Sequence, residues 1–133
     1  MQIAAIVRNS AQAHEVTVRT GESVQRLPIE SKTGSRGSSV NGGEFLMLAL
    51  ATCYCNDLFR EAQRLAIPID DVEVEAIAEF PGVGLAATNI VYRAKVRSPA
   101  SRSQVEQLIR QTDAVAEIHN TVRSGVPVRL MED

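Results

Sequence analysis

The 133-residue sequence contains no tryptophan, three phenylalanines and two tyrosines. Stacking platforms for nucleic-acid bases are therefore scarce, and the expected core is aliphatic. Neither sign of charge prevails: 14 Lys and Arg against 16 Asp and Glu leave a formal charge of −2. No overall attraction draws such a chain to a phosphate backbone, so nucleic acid is not an expected partner. Long hydrophobic runs are absent too. The longest purely apolar run, Phe45 to Ala51, has seven residues, where a membrane-crossing helix needs about 20; no membrane partner is expected. Met1 to Val7 lacks both the basic start and the apolar length of a secretory signal, and Arg8 follows directly, which makes the cytoplasm the expected location. What remains, 44% apolar and 23% charged residues, is ordinary globular composition, and the length suits one domain over residues 1–133.

Cysteine is equally sparse. Cys53 and Cys55 stand one residue apart, which is not the Cys-x-x-Cys spacing of redox and zinc motifs. On a helix, two positions are about 200° of rotation, so the two sulfurs leave on opposite faces and cannot bond to each other. His14 and His119 lie far apart in the chain without paired ligand spacing. Neither a metal nor another cofactor is expected.

Along the chain, Gln2 to Val7, His14 to Thr20 and Val24 to Ile29 are β-rich runs separated by Asn-Ser and Thr-Gly-Glu turns, a three-stranded meander. Ser31 to Gly43 is a glycine- and serine-rich loop. Asn41-x-x-Glu44 has the form of a capping box and opens a helix to about Ala66, ended by Ile67-Pro68. The first half of this helix is apolar nearly all round and must be enclosed, by a wrapped sheet or a second subunit. Asp57, Arg60, Glu61 and Arg64 give its second half a polar face directed at solvent. Asp71 to Phe80 and Asn89 to Arg97 alternate as strands. Pairing them around Pro81-Gly82-Val83-Gly84 sets Ile77 opposite Val91, Glu75 opposite Arg93, Glu73 opposite Lys95 and Asp71 opposite Arg97. The basic run Arg93 to Arg97 is thus a row of cross-strand charge partners, not a nucleic-acid patch. Ser101-x-x-Gln104 caps a short helix with a Val105, Leu108 and Ile109 stripe. Thr112-Asp113 restarts a helix that buries Ala114, Val115 and Ile118, and Val126 to Met131 reads as a closing strand. The order β-β-β-α-β-β-α-α-β is an α+β fold whose central helix is too apolar for one chain to cover, so an obligate dimer is expected.

Cys53 shares its helix face with Leu46, Ala49 and Leu50 before it and Asn56, Asp57 and Arg60 after it, at a boundary of apolar and polar surface. Cys55 is flanked by packing residues in both directions and reads as structural. A reactive thiol needs a lowered pKa, but Cys53 lies about two and a half turns into the helix, beyond useful reach of its dipole. Asp57 and Arg60 pull its pKa in opposite directions. His119 reads as a surface or capping residue beside Asn120, with a base for Cys53 as the alternative.

The segment Asn41-Gly-Gly-Glu-Phe-Leu-Met-Leu-Ala-Leu-Ala-Thr-Cys53 resembles the Asn-Pro-Glu-Glu-Leu…Ala-Ala-Cys helix of the osmotically inducible protein C and organic hydroperoxide resistance (OsmC/Ohr) family. Ala116 to Val122 is similar to that family's second signature, Cys-Pro-Val-Ser-Asn followed by a small or apolar pair. The resemblance implies an intertwined homodimer, in which two central helices are wrapped by sheets from both chains. It also implies a peroxidatic cysteine that attacks a hydroperoxide, a second cysteine that resolves the sulfenic acid, and an arginine and a glutamate that keep the thiolate reactive. Cys53 matches the peroxidatic cysteine. The resolving cysteine falls at Ala116 and the glutamate at Gly43, with Glu44 one place on; the arginine falls at Arg8, with Arg19 and Arg36 as rivals. Three readings follow. One is a one-cysteine peroxidase acting on a small hydroperoxide, with an external thiol as reductant. The second is a non-catalytic dimer that binds a small hydrophobic ligand or acts as a redox sensor. The third is a scaffold in which both thiols are inert core.

Overall fold

The computed structural model describes residues 1–132. A first unit, Met1–Phe45, is an antiparallel meander of β1 (Ile3–Asn9), β2 (His14–Thr20) and β3 (Ser23–Leu27). The Ser10 hydroxyl accepts the N–H groups of Gln12 and Ala13 at 3.3 and 3.1 Å and fixes the first turn. Gly21, at φ +58°, makes the second, where a side chain would be strained. Val16 is buried in the middle strand, between Val7 and Leu27 in the register. The loop that follows is closed by a bridge between Ser31 and Ser38, and Arg36 Nε donates to Asn9 Oδ1 at 2.9 Å.

Helix α1 (Gly42–Arg64) begins with the expected reciprocal cap. The Glu44 N–H donates to Asn41 Oδ1 at 2.8 Å, and the Asn41 N–H donates to Glu44 Oε1 at 3.0 Å. It ends earlier than the Pro68 rule predicts. Ala66 adopts the left-handed region at φ +56°, so that the Ile67 N–H reaches back to the Ala62 carbonyl at 2.8 Å and closes the helix before the residue preceding proline is reached.

The second unit, from Leu46 onward, contains the hairpin of β4 (Asp71–Glu79) and β5 (Thr88–Arg97). All four expected cross-strand pairs occur in its register, with ion pairs at Glu75–Arg93 (2.6 Å) and Asp71–Arg97 (3.8 Å). Helix α2 (Arg102–Val115) starts at the Ser101–Gln104 capping box, and α3 (Glu117–Arg123) follows after one extended residue, Ala116. The core gathers Tyr54, Leu58, Ala62, Ile67, Leu108 and Ala116, with Val72, Val74, Tyr92, Ala94 and Val96 of the hairpin packed on it. It is not purely aliphatic as expected. Tyr54 is fully buried with its ring 4.7 Å from that of Tyr92, and its hydroxyl donates to the Ile109 carbonyl at 2.7 Å.

Four other expectations are corrected. Helix α2 runs straight through Thr112, whose hydroxyl is satisfied by the Leu108 carbonyl one turn back (2.7 Å), and the break falls at Ala116 instead. That shift of phase buries Leu108, Thr112, Ala116 and His119 and leaves Ala114, Val115 and Ile118 exposed. His119 is therefore a buried residue, not a surface one. Asp57 and Glu61, expected to face solvent, are only 5% and 7% exposed, because arginine side chains cover them. Finally, Val126 to Met131 forms no strand, since among the described residues no neighbour supplies a ladder; Val128 is 99% and Leu130 87% exposed.

Leu108→Ala is expected to destabilise the fold by about 2–5 kcal/mol through an unfilled cavity. Ala66→Gly is expected to stabilise it by about 0.5–1 kcal/mol by relieving a left-handed alanine. Chemical denaturation of both variants checks these values.

Candidate functional site

The candidate site is built around Cys53, half-buried on α1. Asp57 follows one helical turn later on the same face, and its Oδ2 lies 3.5 Å from the Cys53 sulfur. The extended Ala116 ends α2 and starts α3 at Glu117, which brings Glu117 Oε2 to 3.9 Å from the same sulfur. The backbone N–H of Ile118 also acts on the thiol. Arg60 gathers the acids: its Nη1 is 3.2 Å from Asp57 Oδ1 and 3.5 Å from Glu117 Oε1, and its Nε is 3.6 Å from Glu61 Oε2. Arg64 holds Glu61 from the other side at 2.9 Å.

The electrostatics follow from this arrangement. Burial, above all, pushes the Cys53 thiol above its ordinary value; the Ile118 N–H works against that shift, and the Asp57 and Glu117 carboxylates add to it. Asp57 is raised as well, by burial and the adjacent Glu117 charge, with Arg60 opposing. Glu117 is lowered, first by its own backbone N–H and then, against burial, by Arg60. The opposing pulls of Asp57 and Arg60, unresolved in the sequence, are settled by geometry: Arg60 bonds to the carboxylates. The sulfur, Asp57 and Glu117 present three ligand atoms within 4.8 Å of one another, a set able to touch one small cation, but the Arg60 guanidinium already pairs with both acids.

Of the residues singled out in the sequence, Arg8 and Glu44 belong to the first unit. Arg8 is exposed on β1 opposite Glu15, and the Glu44 carboxylate serves the helix cap. The rival Arg19 donates to the Gly21 carbonyl and the Gln2 side chain. Cys55 is half-buried: its face carries the buried Leu58 and Ala62 but also the exposed side chains of Leu48 and Phe59. Glu117 was missed. Its one signal was its place directly after Ala116 in the second signature.

Alkylation of Cys53 by iodoacetamide at neutral pH is expected to be slower than that of a free cysteine, because a raised pKa leaves less thiolate, and to keep rising beyond pH of about 8.5, where a free thiol is half-ionised. Asp57→Asn removes a neighbouring negative charge, so the profile should move to lower pH and the rate at neutral pH should increase.

Residues 35–131 match the family model described as OsmC-like protein. None of the curated proteins compared with the chain matches it. Among solved structures, an OsmC-like protein from Mycoplasma pneumoniae superposes with a TM-score of 0.65 at 19% identity, covering 94% of this chain and 87% of the other. An organic hydroperoxide resistance protein OsmC from Legionella pneumophila gives 0.63 at 16% identity, covering 98% and 95%. The organic hydroperoxide resistance protein OhrB of Bacillus subtilis gives 0.56 at 18% identity, covering 98% and 96%. Likenesses of this degree establish the fold, α+β with two antiparallel sheets and a long helix carrying the thiol. The family match spans most of the sequence, and the chain belongs to the OsmC-like protein family.

Proposed function

We propose that the protein reduces organic hydroperoxides with a single redox thiol, Cys53, as a homodimer regenerated by an external thiol. The observation that carries this reading is the 3.5 Å approach of the Cys53 sulfur to Asp57, a carboxylate whose burial raises its pKa above the ordinary value and so makes it a better proton acceptor. The thiol proton passes to Asp57 as the sulfur attacks the terminal oxygen of the hydroperoxide. The O–O bond breaks, the sulfur becomes a sulfenic acid, and the leaving alkoxide takes the proton from Asp57 and departs as an alcohol. An external thiol then condenses with the sulfenic acid, releasing water and leaving a mixed disulfide, and a second thiol restores Cys53. Arg8 and Glu44 belong to this proposal as supporting groups on the family resemblance alone.

Dimerisation is supported by apolar surface that one chain leaves open. Leu48 and Phe59 on α1, Ile77 and Val91 on the hairpin, and Val128, Leu130 and Met131 near the C-terminal end are exposed. A second reading has its own support in the raised thiol pKa: a dimer that binds a small hydrophobic ligand, or senses oxidants, without turnover.

With cumene hydroperoxide and dithiothreitol, turnover is expected in the wild type and in Cys55→Ser and is expected to vanish in Cys53→Ser. Asp57→Asn should lower it by about 10²-fold or more, although its thiol alkylates faster. Wild-type turnover no higher than that of Cys53→Ser selects the second reading. Light scattering should give twice the 14.4 kDa chain mass; a monomer at micromolar concentration rejects the dimer.

A further inference from the structure

A cavity of about 230 Å³ opens in the second unit between Leu50 of α1, Ile90 and Tyr92 of β5, and His119, Val122 and Arg123 of α3. His119 is 4% exposed, and neither of its ring nitrogens has a hydrogen-bond partner. Aromatic neighbours hold the ring, with centroids 4.4 Å from Tyr92 and 5.7 Å from Tyr54. A buried polar atom left unpaired forfeits the hydrogen bonds it had in water, and here one ring carries two. Burial and the Arg123 guanidinium keep the pKa of the imidazole below its ordinary value, so it is neutral at pH 7, with one N–H donor and one bare acceptor.

The surroundings define what would complete it. Leu50, Ile90 and Val122 are aliphatic walls. Arg123 is no free anion site, because its Nη2 lies 2.5 Å from Asp113 Oδ1, the oxygen that also accepts the Tyr92 hydroxyl. A carboxylate ligand would meet a cation already neutralised and an acid nearby. A single water, at about 30 Å³, would leave most of the space unfilled, whereas an apolar cavity of about 150 Å³ already admits benzene. We propose that this cavity binds a small, uncharged, largely apolar molecule of about the size of a substituted benzene, whose one hydroxyl-type group hydrogen-bonds His119. Binding of this kind requires neither the Cys53 thiol nor a peroxide bond and so stands apart from the peroxidase reading.

Calorimetric titration of the 133-residue chain with phenol, toluene and benzoate tests it. Phenol is expected to bind saturably, one per chain, at least tenfold tighter than toluene or benzoate, and equally well to Cys53→Ser. His119→Phe keeps an aromatic ring but no polar atom, and should bring phenol and toluene within threefold of each other. Should that variant not fold, the ¹⁵N resonances of the His119 ring in the wild type are expected to shift on adding phenol. No saturable phenol binding, toluene or benzoate binding as tight as phenol, an unchanged phenol preference in folded His119→Phe, or unshifted ring resonances each overturn the proposal.

Discussion

A single guanidinium group makes the Cys53 neighbourhood possible. Asp57 and Glu61 lie one turn apart on α1, both nearly buried, and Glu117 arrives from α3 beside the first of them. Three carboxylates so placed repel one another and lose hydration. Arg60 reaches all three within 3.6 Å, and through Glu117 it also ties the start of α3 to the middle of α1. The same arrangement fixes the character of the thiol. Because the cation is engaged by the acids, the sulfur is left beside negative charge and in partial burial, and both keep it protonated.

The scaffold beneath that cluster is the buried row of Tyr54, Leu58 and Ala62 on α1, against which Leu108 of α2 and the inner face of the β4–β5 hairpin pack. Tyr54 serves two purposes. Its ring fills the centre of the core, and its hydroxyl satisfies a carbonyl of α2. Ala116 is the corner of the arrangement. It is fully buried and extended, so the chain changes direction there, sending Glu117 to the thiol and His119 to the aromatic cluster.

Much of this was legible in the sequence because the signals were local or periodic. The strict alternation in residues 71–80 and 89–97 determined the hairpin register, since a slip by one would have turned every side chain to the wrong face. The capping boxes at Asn41 and Ser101 marked helix starts for an equally local reason. Where several elements compete, the sequence was mute. Nothing local distinguishes a buried Asp57 from an exposed one, because the distinction depends on Arg60 and on Glu117, 60 residues away in the chain. The break at Ala116 has no proline or glycine to announce it. Without that break the phase of the last helix was misjudged, and with it the burial of His119. Of the site, Cys53 and Asp57 were identifiable from helical spacing, whereas Glu117 required the fold.

The alanine at the α2–α3 corner has a kinetic meaning. It occupies the position that the family resemblance gives to a second thiol, and the one other cysteine, Cys55, leaves α1 on the opposite side from Cys53. A thiol held on the same chain meets its target at an effective molarity far above any concentration reached in solution. A chain without one has no internal clock for its oxidised state. Any sulfenic acid formed at Cys53 lives for a time inversely proportional to the thiol concentration around it, so that the surroundings, not the protein, decide how long oxidation is remembered.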